Sequence, residues 1–112
     1  MDQDINTWIS NKITSSDVVL FMKGTPEMPQ CGFSNQVVQI LNYLEVEFSS
    51  VNVLEDENVR NGIKEFTNWP TIPQLYVKNE FVGGADIVRE MFEENELKQF
   101  FADKGVKTNQ LS

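Results

Sequence analysis

The chain is predicted to be an α/β domain: a four-stranded mixed sheet flanked by about five helices. Three observations predict it. Val18-Val19-Leu20-Phe21-Met22 is a continuous β-branched and aromatic run, as expected of a strand buried on both faces. Segments of helical spacing alternate with short apolar runs of strand length through the first two thirds of the chain. Two short runs are then separated by Lys78-Asn79-Glu80, a tight turn of hairpin type.

Element by element, Ile5, Trp8, Ile9, Lys12 and Ile13 follow a helical spacing, with Asp2 or Asp4 as cap. Asp17 separates that helix from the central strand at 18–22. Positions 23–30 hold Gly24, Pro26 and Pro29, which forbid regular structure, and a second helix starts after Cys31 and Gly32 with Val37, Val38, Leu41 and Leu44 as its apolar face. Residues 48–53 read as the second strand. Asp56 caps a third helix whose Val59, Ile63 and Phe66 point one way. After the breaker run Asn68-Trp69-Pro70-Thr71-Ile72-Pro73 come a strand at Gln74–Val77, the turn, and a returning strand at Phe81-Val82. Gly83-Gly84 precedes Asp86, the expected N-cap of a helix carrying Ile87, Val88, Met91 and Phe92, and a last helix carries Leu97, Phe100 and Phe101. Strands joined through a helix are parallel with a right-handed crossover, and a hairpin is antiparallel. That order of elements is the order of the thioredoxin-like fold.

Length bounds the chain to one domain, expected over 1–105, followed by a polar and loose tail at 106–112. With 112 residues, 40% of them hydrophobic, it folds without staples, and its single cysteine forbids an internal disulfide. The acidic start Met1-Asp2-Gln3-Asp4 is unlike a secretory signal, and no apolar run has membrane-spanning length. These features lead to the expectation of a cytoplasmic protein. A net charge of −8 is repelled by phosphate backbones and anionic lipid, so neither nucleic acid nor a membrane is an expected partner.

Cys31 is where the chemistry is expected, because in this topology it sits where the first strand feeds the second helix. A thiol at a helix N-terminus meets unpaired N–H groups and the positive end of the dipole, which favour thiolate, and Lys23 adds a positive charge. The competing reading, a buried cysteine acting as a small hydrophobe, is disfavoured by the polar neighbours Gln30, Gly32 and Ser34. Ser34 stands where a dithiol oxidoreductase has its second cysteine, so a resolving thiol must come from outside the chain; its hydroxyl is also suited to bonding nearby backbone. There is no histidine, and one thiolate cannot complete a tetrahedral zinc site or a four-sulfur cluster site. The remaining ligands would come from a two-fold related copy and from two small thiols.

Met22-Lys23-Gly24, Cys31-Gly32-Phe33-Ser34, Asn68-Trp69-Pro70-Thr71-Ile72-Pro73-Gln74 and Gly83-Gly84-Ala85-Asp86-Ile87 occur in the order and spacing of the CGFS-type monothiol glutaredoxins, which the chain resembles from about residue 5 to 103. The resemblance implies a glutathione-binding protein that forms a homodimer around a [2Fe–2S] cluster ligated by Cys31 and glutathione sulfur from each half. It implies a role in cluster assembly, transfer and iron homeostasis, with apo iron–sulfur proteins and a BolA-type protein as partners, in a carrier rather than a turnover enzyme. Carried over by position, Lys23 and Arg60 hold the glycine carboxylate of glutathione, Ile72 pairs its backbone with the cysteinyl part, and Ala85 and Asp86 take the γ-glutamyl end. Lys64 is placed second to Arg60, Ile72-Pro73 is expected to be cis, and Trp69 is set aside as a packing residue. Many relatives carry cysteine where this chain has Ala85, which removes a possible disulfide with Cys31. The alternative function is a glutathione-dependent monothiol oxidoreductase that removes glutathione from protein mixed disulfides. It needs only an activated Cys31 and bound glutathione.

Overall fold

The computed structural model describes residues 4–108 and contains one four-stranded mixed sheet with five helices, as the element order predicts. Along the chain come α1 (Ile5–Thr14), β1 (Val18–Met22), α2 (Gly32–Tyr43) and β2 (Ser49–Asn52). A 3₁₀ turn at Val53–Glu55 leads to α3 (Glu57–Thr67), followed by β3 (Gln74–Val77), β4 (Glu80–Gly83), α4 (Ala85–Glu93) and α5 (Leu97–Asp103). The strands lie in the order β2-β1-β3-β4, with β1 parallel to β2, antiparallel to β3, and β3 paired with β4 as a hairpin.

Every residue of β1 is buried, and its alternating side chains divide the interior in two. Val18, Leu20 and Met22 pack with Val37, Val38 and Leu41 of α2, Val88 of α4, and Leu97 and Phe101 of α5. Val19 and Phe21 pack on the opposite face with Ile9 and Ile13 of α1 and Val59 and Ile63 of α3. The fold thus buries β1 from both sides, and its C-terminal end delivers the chain directly to the loop before Cys31.

Local chemistry sets the element ends. Asp4 caps α1 by accepting the Asn6 N–H at 3.0 Å; Asp2, the other cap considered, lies outside the described residues. Asp56 caps α3 in the same way through Asn58 N–H at 2.9 Å. Lys78 and Asn79 both have positive φ, 51° and 67°, the geometry of a two-residue hairpin turn whose twist matches the strands. Glu80, read from the sequence as part of that turn, is the first residue of β4.

The helices refine the reading in two places. Of the three apolar residues of α3 that share a spacing, Val59 and Ile63 are buried and Phe66 is 42% exposed. Burial on α3 is confined to Val59, Gly62 and Ile63, because α1 closes over the helix at Gly62, where an added Cβ would lie 2.9 Å from Ile5 Cγ1. Asp86 is not the N-cap of α4. Gly84 is, with extended backbone, and Asp86 is the second helical residue, where its charge still meets the positive end of the dipole. At the other end of the domain, Val106 opens the segment expected to be a tail; its side chain is buried and its N–H donates to the Phe101 carbonyl at 2.8 Å. Positions 109–112 of that segment lie outside the described residues. No helix among the described residues is long and apolar enough to cross a membrane.

These placements are checked by urea unfolding. Leu20→Ala, at the fully buried centre of β1, is expected to cost about 2–5 kcal/mol. Phe66→Ala, on the exposed side of α3, is expected to cost less than about 1 kcal/mol.

Candidate functional site

The loop leaving β1 turns sharply at Gly24, whose φ is +92°. A side chain there would place its Cβ 2.5 Å from the Met28 carbonyl oxygen and 2.6 Å from the Gln30 nitrogen, so only glycine satisfies both the conformation and the space. The loop is more ordered than its two prolines imply. Met28 N–H donates to the Thr25 carbonyl at 3.0 Å, Thr25 N–H to the Met28 carbonyl at 3.3 Å, and Gln30 N–H to the Lys23 carbonyl at 2.9 Å. Asn52, at the end of β2, holds the loop from beneath: its Oδ1 accepts the Gly24 N–H at 2.9 Å and the Leu54 N–H at 3.0 Å.

This loop sets Cys31 at the N-cap of α2, in extended conformation and partly exposed, as the motif spacing predicts. Burial pushes the Cys31 thiol up. The backbone N–H groups of Ser34 and Phe33, the charge of Lys23 and the Ser34 hydroxyl together outweigh it, so the thiol lies below its ordinary value. Ser34 is fully buried and takes the role expected of a helix-start hydroxyl, accepting the Lys23 backbone N–H at 3.1 Å. One serine therefore ties the strand end carrying Lys23 to the helix start carrying Cys31.

Beside Cys31 runs a groove of about 420 Å³. Five of the residues singled out in the sequence line it: Lys23, Cys31, Ile72, Ala85 and Asp86. Arg60 is half-buried on α3 and is not among the lining residues, whereas Lys64, one turn further along the same helix, is. Trp69, set aside as a packing residue, both packs and lines: its ring lies 5.7 Å from that of Phe81 and it forms part of the groove wall. Among the described residues its Nε1 is buried without a partner, and an added Cβ on Gly84 would come within 3.3 Å of it and 3.2 Å of the Pro73 carbonyl. A larger depression of about 630 Å³ lies between α1 and α3 but contains neither the thiol nor any of the expected residues, so the chemistry points to the groove at Cys31.

The far wall of the groove is held by Gln74, a fully buried polar side chain. Its amide N–H groups donate to the carbonyls of Trp69 and Thr71, both at 3.2 Å, and its Oε1 accepts from the hydroxyls of Thr67 at 3.1 Å and Tyr76 at 3.2 Å. Every polar atom of the glutamine is thus paired, and segment 69–73, with the expected cis peptide at Ile72-Pro73, is fixed to the sheet. Burial pushes the Tyr76 hydroxyl up, so it remains a neutral donor to this network. Neither Gln74 nor Asn52 carries a local sequence signal for its task; each acts on residues that only the fold brings near.

Chemically, the groove joins an activated sulfur to cations from the β1 end and α3, a main-chain edge at Ile72, and a carboxylate in the first turn of α4. In a chain of net charge −8 this is a local concentration of positive charge. Among the described residues, no group of three or more histidine, cysteine, aspartate or glutamate side chains is placed to hold a metal ion. Cys31 alone offers sulfur with thiolate character.

The glutaredoxin family profile matches residues 18–82. An uncharacterized monothiol glutaredoxin of Synechocystis sp. is 52% identical over 99 residues, which cover 88% of this chain and 92% of that protein. A probable monothiol glutaredoxin of Rickettsia typhi is 55% identical over 97 residues, 87% of each chain. Among solved structures, a monomeric truncated mutant of Trypanosoma brucei 1-C-Grx1 superposes with a TM-score of 0.86 at 44% identity, covering 98% of this chain and 100% of that one.

Two outcomes are expected. The rate of Cys31 alkylation by iodoacetamide should titrate with a midpoint below that of an ordinary thiol. Lys23→Gln and Ser34→Ala should each raise that midpoint, because each removes a group that favours thiolate. Gln74→Ala should lower stability in urea by about 1–3 kcal/mol, since it leaves buried hydroxyl and carbonyl groups without partners.

Proposed function

The chain belongs to the glutaredoxin family, among its monothiol members, and we propose that it binds glutathione in the Cys31 groove and carries a [2Fe–2S] cluster between two copies of itself. The observation that carries this reading is a sulfur held towards its anionic form on the rim of a groove whose walls match the charges of glutathione. Glutathione has two carboxylates and one ammonium. Lys23 and Lys64 in the groove lining, with Arg60 reaching in from one turn earlier on α3, hold its glycine carboxylate; the Ile72 main chain pairs with its cysteinyl part; the Ala85 N–H and the Asp86 carboxylate take its γ-glutamyl end. Bound in this way, the tripeptide lays its own sulfur next to Cys31.

The cluster is cargo. A [2Fe–2S] cluster needs four sulfur ligands, each chain has one cysteine, and each bound glutathione supplies another. Two chains and two glutathiones complete the set, which makes the loaded form a homodimer. Since half of the ligands are small molecules, the cluster is exchangeable, and the chain serves as a carrier to apo iron–sulfur proteins in cluster assembly and iron homeostasis, with a BolA-type protein as partner. The compartment assigned to this work is the cytoplasm.

The lowered, partly exposed thiol also favours a second reading, deglutathionylation. The Cys31 thiolate attacks the glutathione sulfur of a protein mixed disulfide and releases the protein thiolate. A second glutathione thiolate then attacks that same sulfur, yielding oxidised glutathione and regenerating Cys31. With serine at position 34, no step can close within the chain.

Anaerobic reconstitution with iron, sulfide and glutathione, followed by visible absorption and sedimentation, tests the carrier reading. Wild type is expected to colour and sediment as a dimer, with one cluster per two chains. Cys31→Ser, and wild type without glutathione, are expected to stay colourless. Colour in either control would sink the ligand count. A coupled reductase assay on a glutathionylated substrate measures the second reading, with turnover expected to be weak.

A further inference from the structure

In the first turn of α4, Asp86 lines the groove, and one turn on, Arg89 approaches it with Nη1 3.4 Å from Oδ1. The two side chains are unequally exposed, 83% for Asp86 and 39% for Arg89. Arg89 lies in a second depression on the other side of the thiol, lined also by Cys31, Phe33, Gln36 and Phe92. The pair therefore sits astride the boundary between the two hollows that meet at Cys31. Its contact is a loose one at one nitrogen, and most of the five guanidinium N–H donors remain uncommitted among the described residues.

We infer that Arg89 is a specificity-determining residue of this groove: together with Asp86 it reads the complete amino-acid head group of a γ-glutamyl thiol, ammonium and carboxylate at once. The inference rests on the glutathione reading above and deepens it. A ligand carrying only an ammonium must compete with Arg89 for Asp86 and meets a like charge beside it. A ligand carrying only a carboxylate finds Arg89 but leaves Asp86 facing a second anion. A zwitterionic head group gives each member of the pair a counter-charge, so its ammonium and its carboxylate are matched together. Without Arg89, Asp86 would offer the ammonium a counter-charge, and the Ala85 N–H would offer the carboxylate only a neutral donor.

The test is anaerobic isothermal titration calorimetry on the full chain with two thiols: glutathione, and 4-aminobutanoyl-cysteinylglycine, which keeps the ammonium but lacks the neighbouring carboxylate. Arg89→Gln is expected to weaken glutathione by about 3- to 10-fold and to bind the decarboxylated analogue as tightly as wild type or more tightly. Arg89→Lys, which keeps the charge, is expected to recover at least half of the lost glutathione affinity on a logarithmic scale. Equal weakening of both ligands would mark a general effect on the groove and overturn the inference. So would an Arg89→Gln profile indistinguishable from wild type, or a gain in glutathione affinity, which would make Arg89 merely a competitor for Asp86. A wild-type chain that binds no glutathione at millimolar concentration overturns the functional reading as well, an outcome visible before any variant is measured.

Discussion

The sulfur of Cys31 at the start of α2 is the point on which the other features converge. Burial works against its charge, and the amides of Phe33 and Ser34, the ammonium of Lys23 and the hydroxyl of Ser34 work for it. That balance depends on position, because oriented dipoles act over about one helical turn. Position in turn depends on neighbours that never touch the thiol. Gly24 permits the turn, Asn52 anchors it, and Ser34 joins the end of β1 to the first turn of α2.

The opposite wall follows the same logic with a different material. Segment 69–73 has little regular structure, so its shape cannot come from its own hydrogen bonds. Gln74 supplies them from inside the protein, and the hydroxyls of Thr67 and Tyr76 satisfy the remaining side of the glutamine. Because Gln74 also belongs to β3, which pairs with β1, the two walls are joined through one sheet. The placement of the Ile72 edge relative to the end of β1 is thus tied to strand register.

Much of this architecture is legible in the residues because it is locally encoded. The continuous apolar run at Val18–Met22, the capping aspartates 4 and 56, and the break at Lys78-Asn79 each carry their signal within a few positions. The place of Cys31 is legible for the same reason: a Gly-Pro loop followed by helical spacing puts it at a helix start. What escapes a local reading depends on contacts between elements. Phe66 has the spacing of the apolar face of α3, but the buried positions of the helix are Val59, Gly62 and Ile63, and Phe66 is left exposed. Asp86 has the right chemistry to cap α4, but the chain leaves β4 already turning at Gly84. Lys64 rather than Arg60 lines the groove, a difference of one helical turn that helix orientation decides and periodicity does not. Trp69 carries a packing signal strong enough to hide its second role as part of the wall.

The loop at 25–30 bears on the thermodynamics of recognition. Three main-chain hydrogen bonds, two prolines and the Asn52 anchor restrict its conformational freedom when the chain folds. A tripeptide arriving at Cys31 meets a preorganised rim, so its association need not be taxed by the roughly 1–2 kcal/mol per residue that freezing a slack backbone would demand. The rigidity is charged once, against folding stability, and is then shared by every later cycle of capture and release.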